Sequence, residues 1–168
     1  LADLFLPAIV FGTMLVEARR ASANERAQRA RGGVEPAGDV YALMRVAYPG
    51  AFLAMFVEGA WRGSPPPALV LAGAAVFVAA KALKWWAILS LGPFWTFRVI
   101  VVPGARLVAG GPYRWLRHPN YVGVMGELAG VAIMTGALLS GVAGFVAFGG
   151  LVVRRMSIEE RALREAAR

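Results

Sequence analysis

Between Pro119 and Arg154 the chain carries one charge, Glu127. As a single helix rising 1.5 Å per residue, that stretch would run roughly 50 Å, against a hydrocarbon core of about 30 Å. No one straight span uses it all. It reads instead as a helical hairpin turning near Gly136 to Gly141, whose abundant Gly and Ala allow the helices to approach closely. This stretch makes the chain an all-α integral membrane protein.

Composition agrees. Of the 168 residues 58% are hydrophobic, and the mean hydropathy is +0.59. A soluble domain is nearer half apolar, and here the excess lies in runs. The length fits one domain, 1–168, with N-terminal spans in 1–90 and a second half at 91–168. The formal net charge is +8, carried by Arg with only two Lys. Arginine clusters can mark nucleic-acid binding, but these flank apolar runs and read as loops facing an anionic cytoplasmic leaflet. No nucleic-acid partner is expected. There is no Cys and a single His. That removes disulfides, iron–sulfur clusters, thiolate nucleophiles and the usual zinc sites, so no metal is expected.

Leu4 to Val16 is a short first apolar run, which Leu1, Ala2 and any residues before them would lengthen toward the roughly 20 that a span needs. No basic segment precedes it and no small-residue cleavage pattern follows, which reads against a secretory signal peptide. Arg19 to Arg31 reads as a cytosolic loop or loose surface helix, ended by Gly32-Gly33 and Glu35-Pro36. Val46 to Val57 forms a second run, kinked at Tyr48-Pro49-Gly50, which neighbouring helices tolerate. Ala68 to Ala80 forms a third, with Lys81, Lys84, Trp85 and Trp86 marking its far end as snorkelling lysines and interfacial indoles do. Leu91 to Arg117 is broken by Gly92-Pro93, Pro103-Gly104 and Gly110-Gly111-Pro112, and reads as an ordered interfacial loop. Ser157 with Glu160 reads as a capping box opening a separate C-terminal helix. About five spans result. With the first end outside, the basic regions Arg19–Arg45, Lys81–His118 and Arg154–Arg168 all face the cytoplasm.

That topology puts Gly111-Pro112-Tyr113-Arg114-x-x-Arg117-His118-Pro119-Asn120-Tyr121-x-Gly123 on the same side as the C-terminal tail. Charge near hydrocarbon is expensive, so such a segment has reason to be there only if it binds something. His118-Pro119 looks like a helix start, since Pro is favoured at the first helical position. Alone, His118 would be a cap or an interfacial residue. Beside Tyr113, Arg114, Arg117 and Tyr121, and next to the free N–H groups of a helix start, it becomes part of a candidate anion-binding cluster. Glu127, two turns into the helix, does not suit a lipid-facing position. It reads either as an ion-pair partner of Arg98, Arg114 or Arg155, or as a catalytic carboxylate. Arg154-Arg155 and Glu159-Glu160 read either as interfacial arginines with an acidic helix start, or as groups folding back on the His118 site.

The two-part pattern at 111–123 and at Arg155-x-x-x-Glu159-Glu160 with Leu163 resembles the isoprenylcysteine carboxyl methyltransferase family. The stretch Phe94-Trp95-Thr96-Phe97-Arg98-Val99-Ile100-Val101-Val102-Pro103-Gly104-Ala105 is similar to its small bacterial branch. The resemblance covers residues from about 90 to about 165. It implies a helical enzyme using S-adenosylmethionine without a Rossmann sheet, and no Gly-rich strand–turn–helix fingerprint occurs here. It implies that His118 and Tyr121 contact this cofactor in a cytosolic pocket, with Tyr113 and the backbone of Val102, Pro103 and on to Leu107 lining it. Glu159 or Glu160 would hold the cofactor's ammonium end. Arg155 and Arg98 would face the acceptor oxygen; Glu127 joins them as a catalytic candidate on its intramembrane position alone. The implied partners are membrane lipid and a lipophilic small-molecule or prenylated acceptor. The implied location is a bacterial inner membrane with the active site toward the cytoplasm.

Methyl transfer is an in-line displacement, so positioning supplies most of the catalysis. A carboxylate acceptor is ionised near neutral pH and needs no base. A hydroxyl acceptor needs one, such as His118 or a carboxylate. The leading reading is O-methylation of a lipophilic carboxylate or acidic hydroxyl. Phospholipid or amine N-methylation is the alternative within the family. A non-enzymatic membrane module is the alternative outside it, and would require polar groups along a path between spans. Apart from Glu127, the expected spans are nearly free of them.

Overall fold

The computed structural model describes residues 2–105 and 108–166. Over these the chain forms five α-helices: α1 (Ala2–Ala30), α2 (Tyr41–Arg62), α3 (Pro67–Leu91), α4 (Pro119–Thr135) and α5 (Leu138–Ala166). Two short 3₁₀ turns, Gly92–Phe94 and Gly111–Arg114, punctuate the long α3–α4 connection. Among the described residues the extended chain pairs only at one bridge, Val34 to Val101, which ties the α1–α2 loop to that connection.

The helices alternate in direction. At one end, the two tight turns sit together: Gly59 packs on Thr135 and Gly136 on Pro65. There the Glu58 carboxylate accepts the N–H groups of Leu139 at 3.1 Å and Ser140 at 2.6 Å, satisfying donors that the start of α5 would otherwise leave open. At the other end, α1 meets the α3–α4 connection. Asn24 donates to the carbonyls of Gly92 and Trp95, and Gln28 donates to that of Pro93.

The core holds Phe52 and Met55 of α2, Leu128 and Val131 of α4, and Phe148 of α5. Leu53, Leu71, Val78, Leu89 and Val146 point outward and are exposed, an apolar exterior that lipid tolerates and water does not. By length and composition, Pro67–Phe94 and Leu138–Glu165 are each apolar enough to cross a membrane. The α3–α4 contact is the closest in the bundle. A Cβ on Gly130 would lie 2.7 Å from the Phe77 nitrogen, and one on Gly73 2.6 Å from the Met134 nitrogen. Backbone meets backbone there, as small residues in membrane helices permit.

The hairpin turns at Gly136, whose φ of +65° ends α4 in the left-handed conformation while its N–H reaches back to Ala132 and Ile133. Three sequence expectations are corrected. Of the two readings of the stretch from Arg19, the helical one holds and the loop does not, but the helix is not loose: it continues α1 unbroken to Ala30 and buries Ala21 and Gln28 against the connection. No new helix begins at Ser157. Its hydroxyl donates to the Val153 carbonyl at 3.1 Å inside a continuous α5, so the capping-box pattern is incidental. Lys84 does not snorkel; only 2% of it is exposed, and it turns inward to carboxylates on α1 and α4.

Candidate active site

The start of α4 and the last third of α5 lie side by side, and the polar residues of both meet there. Pro119 occupies the first turn of α4 with His118 at its cap. His118 Nε2 lies 3.2 Å from Glu160 Oε1. One turn on, the Tyr121 hydroxyl donates to Glu159 Oε2 at 2.8 Å and accepts from Arg155 Nε at 2.8 Å. Residues 155 and 159 stack one helical turn apart on α5, so Tyr121 lies between a cation and an anion on the same face. Arg155 Nη1 reaches a further carboxylate, Asp39 Oδ1, at 3.2 Å. The result is a chain of charge-assisted contacts, Glu159–Tyr121–Arg155–Asp39, alongside the pair His118–Glu160.

Tyr121 and Arg155 also line a cavity of about 380 Å³ between α1, α2, α4 and α5. Trp95, Thr96 and Phe97 roof it, and Met14, Met44 and Phe148 supply apolar walls. Trp95 is fixed by its indole N–H donating to Asn120 Oδ1 at 3.1 Å. Glu17, Arg45, Tyr48 and Lys84 also reach the cavity wall, so polar groups from α1, α2, α3, α4 and α5 border a lining that is otherwise apolar, which suits an amphiphile with a polar head.

Glu127 lies elsewhere. It is fully buried and takes contacts from Lys81 at 2.8 Å, Lys84 at 3.3 Å and the Tyr48 hydroxyl at 2.8 Å. Glu17 of α1 completes this group at 3.1 Å from Lys81 and 2.7 Å from Lys84. Its partners are lysines rather than the arginines expected from the sequence. Two cations and two anions close a neutral knot across α1, α3 and α4, which is what burial of charge requires. Arg98 is likewise occupied away from the cavity. It pairs with Glu35 at 2.7 Å and sits 4.6 Å above the Tyr41 ring, whose other neighbour is Phe97.

Of the remaining expected residues, Val102 is buried and Pro103 is exposed, while Leu107 lies outside the described residues. Tyr113 is half-buried; burial first, and then the charge of Glu159, pushes its phenol above the ordinary range. His118, Tyr121, Glu159, Glu160, Arg155 and Tyr113 thus gather in one place, whereas Arg98 and Glu127 join other charge groups. Asp39, Trp95 and Asn120 belong to the site as well. Asp39 sits in a loop with no motif around it, and only the fold brings it to Arg155.

Paired carboxylates suit a primary ammonium, and the ring faces and half-buried phenol beside them suit a heteroaromatic body. Arg155, next door, suits an oxyanion. A family model, that of the isoprenylcysteine carboxyl methyltransferase (ICMT) family, matches residues 72–165. The uncharacterized protein YpbQ of Bacillus subtilis (strain 168) is 30% identical over 161 residues, 95% of each chain. An uncharacterized protein of Haemophilus influenzae (strain ATCC 51907 / DSM 11121 / KW20 / Rd) is 22% identical over 141 residues, 83% of this chain and 82% of the other. No solved structure matches. The family match, together with helices apolar enough to cross a membrane, places the chain in a class of membrane methyltransferases. The chain belongs to the isoprenylcysteine carboxyl methyltransferase family.

Proposed function

We propose that this protein is an S-adenosylmethionine-dependent O-methyltransferase acting on the carboxylate or acidic hydroxyl of a lipophilic acceptor. We place it as one domain of five spans in a bacterial inner membrane, with its active site on the cytoplasmic side. The observation that carries the reading is the Glu159–Tyr121–Arg155 chain, whose Tyr121 and Arg155 border a largely apolar cavity. S-adenosylmethionine supplies a methyl group on a sulfonium. In this reading Glu159 and Glu160 hold its ammonium end, and His118, Tyr113 and Tyr121 pack along its body. Tyr121 links the two halves of the site, because one hydroxyl contacts both the donor-side carboxylate and the acceptor-side guanidinium.

Arg155 orients the acceptor oxygen and spreads its charge, and the apolar walls exclude water from the transfer. A carboxylate acceptor arrives ionised; a hydroxyl would need a neighbouring base, such as His118 or a carboxylate. The acceptor class spans free lipophilic acids and prenylated carboxyl termini.

Calorimetric binding of S-adenosylhomocysteine to the purified protein tests the reading. The intact chain is expected to bind, and His118→Ala and Glu159→Gln each to weaken binding about tenfold or more. No binding by the intact chain would overturn the assignment. Base treatment of labelled product decides the acceptor atom: methyl esters hydrolyse, whereas a base-stable N-methyl product would replace O-transfer with amine methylation.

A further inference from the structure

We infer that Asp39 is a positioning residue for Arg155, supplied by the N-terminal part of the chain to the catalytic half; its role in acceptor binding rests on the function proposed above. Asp39 lies outside residues 72–165, which the family model matches. Its side chain is 4% exposed and that of Arg155 7%. The two meet across 116 positions of sequence.

Each hydrogen bond of Asp39 fixes a different element. Oδ1 accepts the Tyr41 N–H at 3.1 Å, at the start of α2. Oδ2 accepts the Val99 N–H at 3.0 Å, in the connection whose Trp95, Thr96 and Phe97 roof the cavity. Oδ1 also takes Arg155 Nη1. With Nε committed to Tyr121 and Nη1 to Asp39, the guanidinium plane is defined by two contacts on adjacent edges. Nη2 has no protein partner among the described residues, and Arg155 borders the cavity. The remaining edge is therefore the one left for an acceptor oxygen. A guanidinium held by Tyr121 alone would rotate about that single bond. A buried cation also needs a countercharge, and Glu159 is shared with the donor side of the site. Asp39 supplies that charge without occupying the working edge.

The test uses full-length protein in lipid nanodiscs, with Asp39→Asn, Asp39→Glu, Arg155→Lys and the Asp39→Asn/Arg155→Lys double variant. The first readout is modification of Arg155 by phenylglyoxal, mapped by mass spectrometry, which needs neither donor nor acceptor. Asp39→Asn is expected to raise the labelling rate of Arg155 at least threefold, and Asp39→Glu to return it most of the way. The second is transfer of labelled methyl from S-adenosylmethionine to organic-extractable product of bacterial membranes. Asp39→Asn is expected to lower turnover at least tenfold while S-adenosylhomocysteine affinity stays within twofold. The double variant should be no worse than Arg155→Lys, since both changes break one unit.

Unchanged Arg155 labelling in Asp39→Asn would overturn the inference, as would turnover losses that multiply in the double variant. Parallel loss of melting temperature, S-adenosylhomocysteine affinity and turnover, without rescue by Asp39→Glu, would reduce Asp39 to a loop staple and also overturn it. If Asp39→Asn does not fold, the labelling and turnover of Asp39→Glu against the parent decide: partial change in both supports positioning, no change in either refutes it. Failure of the intact protein to bind S-adenosylhomocysteine would sink the proposed function and leave the labelling result standing on its own.

Discussion

Replacing Glu127 with Gln isolates the charge of the buried knot while nearly keeping its shape. In the parent, Glu17 and Glu127 balance Lys81 and Lys84, with N–O separations from 2.7 to 3.3 Å. Removing one anion leaves two lysines facing one carboxylate, in a place where Lys84 is 3% and Glu127 1% exposed at the side chain. Breaking a buried ion pair costs about 3–5 kcal/mol, because the surviving partner stays desolvated. Here Glu17 still serves both lysines, so the lower end, about 3 kcal/mol, is expected. At about 2–4 °C per kcal/mol for a chain of this size, the melting temperature should fall by roughly 6–12 °C. Intrinsic tryptophan fluorescence during heating in detergent reports it. A Glu127→Met/Lys84→Met double variant leaves the single pair Glu17–Lys81 and replaces the rest with apolar volume, and should recover most of the loss. Any fall in methyl transfer by Glu127→Gln should follow the folded fraction. If Glu127→Gln melts like the parent but no longer transfers methyl, the knot is not structural. Glu127 would then act in the chemistry, the second of the two readings its intramembrane position allows.

Other tests address packing and the loop that roofs the cavity. Gly130→Val drives a side chain into the Phe77 backbone, with no flexible atom to yield; a loss of about 3 kcal/mol, the upper part of the overpacking range, is expected in the same melting assay. Gly150→Val, where nothing lies within 4 Å, is the control and should melt with the parent. At Glu35, burial favours the neutral acid, but hydrogen bonds from Arg98 and Arg29 and their charges outweigh it and hold the carboxyl below its ordinary 4.5. A depressed folded-state value means the contribution is complete above about pH 4.5 and fades as pH falls below it. Amide protection at Val34 and Val101, which pair across this loop, should therefore drop on acidification below that point. Glu35→Gln should flatten the dependence, and a parent profile that is equally flat would show that Glu35 does not secure the loop.

What was legible in the sequence followed from local cost. An uncharged run too long for one span had to turn, and it turns at Gly136, where a left-handed φ is free of penalty. His118-Pro119 had to start a helix, and α4 begins there. What was not legible depended on partners far along the chain. Lys84 sits beside Trp85 and Trp86 and so looks interfacial, but its partner Glu17 is 67 positions away and no local pattern announces it. The second half of α1 looks like a polar loop because Glu17, Asn24 and Gln28 are polar. Their spacing of seven and four residues puts them on one helical face, which the fold satisfies with lysine Nζ atoms and the carbonyls of Gly92, Pro93 and Trp95. Asp39 is the same case in a loop. Each of these buried polar groups is expensive alone and stable only as part of a pair, so each pins one N-terminal element to the half that carries the family pattern. The N-terminal half thus does more than anchor the chain in lipid. Through Glu17 it neutralises the lysines of α3, and through Asp39 it sets the orientation of Arg155, so changes in the first forty residues should register at the opposite end of the sequence.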